Sequence, residues 1–154
     1  MTRTRRRACA ALAAVALIAV PTSLAAGYGH GTFRGRVVGP KSGSSADVAV
    51  KVKKRVSATA TLHMNDCTGT GTGITDIPVS TQNAKINTGP AGGGFAIDQT
   101  IRTSTSAGPA EIELSIVGGI RRKVVRATFG AYVTSPNFGS DISCSLSGNL
   151  KAKR

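Results

Sequence analysis

From Gly31 onward the apolar residues of this chain recur at every second position. Val48, Val50 and Val52 alternate with Ala49, Lys51 and Lys53. Val56, Ala58, Ala60, Leu62 and Met64 alternate with Ser57, Thr59, Thr61 and His63. The same period returns in Ile112, Leu114 and Ile116 between Glu111, Glu113 and Ser115, and in Val125, Ala127, Phe129, Ala131 and Val133 between Arg126, Thr128 and Tyr132. Near the C-terminus Ile142, Cys144, Leu146 and Leu150 share one face, and Ser143, Ser145, Ser147 and Lys151 the other. A period of two is what half-buried antiparallel strands require, because successive side chains point to opposite faces of the sheet.

Turn residues punctuate these runs: Gly39-Pro40, Gly43-Ser44, Gly71-Thr72-Gly73, Gly89-Pro90, Gly92-Gly93-Gly94, Gly108-Pro109, Gly118-Gly119 and Ser135-Pro136-Asn137. No segment after the N-terminal region carries a helical stripe of about a dozen residues. The pattern predicts an all-β fold: a single antiparallel β-sandwich of about seven to nine short strands, with a barrel as the alternative. Residues 89–94 read as loop. Lys53-Lys54-Arg55 reads either as a turn or as the middle of one long strand. No internal repeat is present.

The first 25 residues follow a different rule. Arg3, Arg5, Arg6 and Arg7 precede a 13-residue apolar run, Ala8 to Val20, then Pro21 and the small-residue site Ser23-Leu24-Ala25. This layout is that of a secretory signal peptide. The run is shorter than the roughly 20 apolar residues a bilayer span needs. Cleavage after Ala25 would leave a single domain of residues 26–154, with no membrane span, secreted or associated with the cell envelope. Removing four arginines leaves sixteen basic residues against seven acids, a charge of +9. Thr4-Arg5-Arg6 leaves the export route, general or twin-arginine, open.

Two cysteines then remain, Cys67 and Cys144, and an even pair in an exported chain reads first as a disulfide. Closing a loop of roughly 78 residues contributes on the order of 4 kcal/mol in the chain-entropy model. That matters here, because the chain has no Trp, two Tyr and four Phe from which to build a core. The stretch His63-Met64-Asn65-Asp66-Cys67-Thr68-Gly69-Thr70-Gly71-Thr72-Gly73 invites a second reading, a reactive thiol beside a phosphate-cradling loop. On an extended strand, however, residues 63 and 67 lie more than about 10 Å apart, too far for His63 to activate Cys67. The glycines are followed by Ile74-Thr75-Asp76, without the lysine and helix a phosphate loop uses. The stretch therefore reads as a disulfide-pinned turn.

Other chemistry has little to work with. His30 and His63 are far apart, no G-x-S-x-G elbow occurs, and zinc would lack ligands once the cysteines are bridged. No cofactor or metal is expected, and Asn65 and Asp66 read as turn residues beside the glycines. A carboxylate-dependent hydrolase built on Asp66, Asp76, Glu111 or Glu113 is the enzymatic alternative. The dearth of aromatic residues disfavours sugar recognition by stacking.

The basic residues rise above this background. They cluster at Arg34 and Arg36; at Lys51, Lys53, Lys54 and Arg55; at Arg121, Arg122, Lys123 and Arg126; and at Lys151, Lys153 and Arg154. Strand alternation points Lys51, Lys53, Arg122, Arg126, Lys151 and Lys153 away from the core. If their strands are neighbours, one sheet face is cationic and suited to anionic cell-envelope polymers. Sequence-specific nucleic-acid reading is not expected, since no recognition helix or aromatic RNA-binding motif accompanies the charge. A protein-interaction or inhibitor module presenting Gly69–Gly73 and Gly89–Gly94 is a third reading. Oligomeric state is left open.

The order of Gly31-Thr32-Phe33-Arg34-Gly35, Cys67-Thr68-Gly69, Gly92-Gly93-Gly94-Phe95 and Cys144-Ser145-Leu146-Ser147-Gly148 before a basic tail resembles a group of small exported all-β proteins of high-GC Gram-positive bacteria. The resemblance implies a β-sandwich bridged from Cys67 to Cys144. It implies no activity and no catalytic residue.

Overall fold

The computed structural model describes residues 28–40, 43–65, 67–68, 74–89, 92–105, 108–135 and 143–154. The expected signal peptide, Asp66 and the Gly69–Gly73 run lie outside them. Ten strands and no helix make up the described residues: β1 (Gly31–Val38), β2 (Ser45–Val52), β3 (Arg55–Met64), β4 (Ile74–Ser80), β5 (Ala84–Lys85), β6 (Asn87–Gly89), β7 (Gly92–Thr105), β8 (Gly108–Arg121), β9 (Val124–Thr134) and β10 (Ser143–Lys153).

All ten belong to one antiparallel sheet in the order β4-β3-β2-β1-β10-β9-β8-β7-β6, with β5 on β3. The all-β, antiparallel expectation holds. Of the two architectures weighed, the pairing gives one continuous sheet curled into a half-barrel, not two separately hydrogen-bonded sheets. The physical reason is coverage. The long strands each carry an apolar face and no helix among the described residues covers it, so the sheet buries that face by curling on itself. The buried face includes Phe33, Val50, Leu62, Ile77, Ile97, Leu114, Phe129, Leu146 and Leu150, none more than 3% exposed.

Two contacts draw the sheet round. The first and last strands meet, with Arg34 opposite Lys153. Glycines permit this approach: a β-carbon on Gly35 would lie 2.6 Å from the Lys151 carbonyl oxygen, and one on Gly148 would lie 2.8 Å from Val37 Cγ1. At the opposite margins β5 pairs with β3 and β6 with β7, and only Ile86 separates β5 from β6. Residues 84–89 thus reach from one margin of the sheet to the other.

Glycine misleads the sequence reading in two places. Gly118-Gly119, expected as a turn, lies within β8, and Gly92–Gly94, expected as loop, opens β7 and pairs with both β6 and β8. At Gly118 a β-carbon would run into the backbone of Arg126 and Ala127 on β9, so the missing side chain serves a close strand approach and not a reversal. Lys53 and Lys54 form the β2–β3 turn. Ahead of β1, Tyr28 packs against the core and stacks on His30, with ring centroids 5.3 Å apart.

Cys67 and Cys144 form the disulfide. Cys67 lies beyond the end of β3 and bridges in antiparallel fashion to Cys144 on β10. The Thr68 amide donates to the Ser143 carbonyl at 2.9 Å beside it. No helix among the described residues is long and apolar enough to cross a membrane.

A candidate polyanion-binding surface

The strand order decides what the basic residues do together. β2, β1, β10 and β9 are consecutive in the sheet, and each places cations on its outer face. Lys51 lies on β2, Arg34 and Arg36 on β1, Lys151 and Lys153 on β10, and Arg126 on β9, all exposed. Register brings like charges into direct opposition: Arg34 faces Lys153 and Lys151 faces Arg126. At the sheet margin Arg55 faces Lys85. Adjacent strands are only about 5 Å apart, and like charges directly opposite destabilise a sheet.

Lys53 and Arg122 are exposed as expected but sit in turns and not on strand faces. Register puts both turns at the same end of the sheet. Gly31 pairs with Val52, Arg121 with Val124, and the Arg154 amide reaches the Lys123 carbonyl at 3.4 Å. Lys53, Lys54, Arg122, Lys123, Lys153 and Arg154 therefore surround one end. Arg122 has φ of 46°, a left-handed conformation that hairpin turns normally give to Gly, Asn or Asp. A shallow depression lined by Val117, Arg126, Thr128, Asn149 and Lys151 lies on the outer face nearby. Among the described residues, none of Arg34, Lys51, Lys53, Lys54, Arg122, Lys123, Arg126, Lys151, Lys153 and Arg154 is paired with a carboxylate.

Sequence reasoning names Lys51, Lys53, Arg122, Arg126, Lys151 and Lys153 as the surface. The structure adds Arg34, whose place opposite Lys153 follows from the β1–β10 contact alone, and Lys85, an isolated lysine with no sequence signal.

The described candidate acids fall in two separate places. Glu111 and Glu113 share the outer face of β8, where Glu111 accepts from Arg102 Nε at 2.9 Å. Asp76 is on β4, at the other end of the hydrogen-bonded order, 3.3 Å from His63 Nδ1. His63 also lies 3.5 Å from Asp47, which is 3.9 Å from Arg36. This run of neighbouring polar side chains links β1, β2, β3 and β4 across their outer faces. No group of three or more His, Cys, Asp or Glu that could hold a metal ion occurs among the described residues.

Compared with protein-family models, curated proteins and solved structures, the chain matches none.

Proposed function

We propose that this is an exported, non-enzymatic β protein that binds anionic polymers of the cell envelope through the outer faces of β2, β1, β10 and β9 and the adjoining turns. One observation carries the reading: cations stand directly opposite cations, as Arg34–Lys153 and Lys151–Arg126, with no carboxylate between them. A surface serving only solubility can intersperse charges of both signs. Here the repulsion is left in place, and a polyanion laid across it would relieve it. The left-handed Arg122 supports the same reading, since strain concentrates where function requires a particular side chain. The disulfide is compatible with the oxidising compartment that export from residues 1–25 would supply.

The test uses mature protein, residues 26–154, mixed with isolated cell envelopes and separately with DNA, over a series of salt concentrations. Binding to both is expected to weaken steeply, with a log–log slope of about −0.7 for each phosphate neutralised on a flexible strand. Absence of binding to either at low salt would overturn the proposal. Envelope binding that persists at high salt would replace it with a shaped site for one component.

A further inference from the structure

The outer faces of β1 to β4 carry a recess of about 630 Å³, which the cationic surface borders at Arg34. Its volume is that of a small-molecule site, for which about 300–1,000 Å³ is usual. Register fixes what surrounds it. One row across the four strands runs Arg34–Ala49–Thr59–Ser80, and the next runs Arg36–Asp47–Thr61–Pro78. Both rows line the recess. Each crosses three strand spacings, about 14 Å. The polar groups are of three kinds. Arg34 has no carboxylate partner among the described residues. The hydroxyls of Thr59, Thr61 and Ser80 have no hydrogen-bond partner among them either, and each can donate or accept. Asp47 lies beside Arg36 and His63 with its side chain still 56% exposed, and its ionised carboxylate only accepts.

We propose that this recess binds a hydroxylated phosphodiester chain, a polyol phosphate, with a phosphate on Arg34 and hydroxyl groups on Asp47, Thr59, Thr61 and Ser80. The mixture of signs selects this chemistry. A guanidinium meets a phosphate through two parallel hydrogen bonds, which makes Arg34 the anion end of the site. Asp47 stands on the next strand, one row away, and repels a ligand that offers it only negative charge. A ligand that satisfies both carries an anion at one point and hydrogen-bond donors at the next. Polyol phosphates have both. A DNA backbone has the phosphates without free hydroxyls along the chain, and an uncharged saccharide leaves Arg34 unmatched. The inference rests on the polyanion reading, because Arg34 belongs to both surfaces, and it narrows that reading to one class of polymer.

The test is calorimetric titration of mature protein at moderate salt with two polymers of matched charge. Poly(glycerol phosphate) has a hydroxyl on every repeat, and inorganic polyphosphate has no alcohol at all. Wild type is expected to bind poly(glycerol phosphate) about tenfold tighter, the worth of one or two net hydrogen bonds. Thr59→Val with Thr61→Val keeps every charge and suits a strand. It is expected to abolish that preference and to leave polyphosphate binding unchanged, which also shows that the variant is folded. Arg34→Gln is expected to weaken binding of both polymers. Equal affinity of the wild type for the two overturns this inference and leaves the polyanion reading standing, whereas binding of neither overturns both. A preference that survives intact in the Thr59→Val, Thr61→Val chain, or binding that Arg34→Gln leaves unchanged, overturns the recess as its source.

Discussion

The two ends of the curled sheet solve the same problem of strand pairing with opposite electrostatics. At the disulfide end, groups facing each other across strands are complementary: Arg102 pairs with Glu111, Arg36 with Asp47, and His63 lies between Asp47 and Asp76. Side-chain hydrogen bonds reinforce that end. Arg36 donates to Ser45 Oγ at 3.0 Å, the Asn65 amide to Ser44 Oγ at 2.8 Å, and Ser135 Oγ to the Pro109 carbonyl at 2.6 Å. At the opposite end lysine and arginine face one another. The first end is arranged for stability. The second leaves stability on offer, since a sign reversal at one lysine would convert repulsion into attraction. Stability forgone at a localised surface, in a fold that satisfies the same rule elsewhere, is the contrast on which the proposed ligand surface rests.

The disulfide end is loosened most by removing its cross-link. Cys67→Ser with Cys144→Ser removes a cross-link between residues 77 apart and is expected to cost about 4 kcal/mol, read by denaturant melts. Polyanion binding by the remaining folded protein should be unchanged, because no cation on the binding surface belongs to that bridge.

Prising β1 from β10 acts on the other end. Gly35→Val forces a side chain against the Lys151–Ala152 backbone and is expected to destabilise by about 1–3 kcal/mol. It should also weaken polyanion binding, since it separates Arg34 from Lys153.

Lys151→Glu with Lys153→Glu sharpens the contrast. Two like-charge pairs become opposite-charge pairs, raising stability by about 1 kcal/mol in total while lowering affinity for anionic polymers and flattening the salt slope. A loss of stability together with retained binding would refute the surface. Arg122→Gly is expected to stabilise the β8–β9 turn by about 1 kcal/mol, because glycine takes a positive φ without steric cost, and to weaken binding modestly. The smallest effect is the mirror image. Glu111→Lys turns the Arg102 pair into a repulsive one, and because that pair is exposed the cost is about 0.5 kcal/mol in thermal melts, with binding unaffected or slightly stronger.

Much of this molecule is legible in its residues, and the reason is periodicity. Alternation in 48–52, 56–64, 112–116, 125–133 and 144–150 declares strands because burial of one face is a local requirement on every second residue. The cysteine pair is legible from parity and the expected compartment. The glycines were misleading because a missing side chain serves both a turn and a tight strand crossing, and only the neighbour shows which. Gly118 needs its hydrogen because β9 presses on it.

The residue pattern by itself determined an all-β chain with one apolar face per strand, a bridge between Cys67 and Cys144, and an excess of positive charge pointing outward. Tertiary structure alone decided that the strands form one curled sheet, that β1 meets β10, and that Arg34 stands against Lys153 across 119 positions of chain. The division has a physical cause. Which face of a strand is buried follows from residues two apart. Which strand lies beside which follows from how the whole apolar face closes on itself, and no local pattern carries that information.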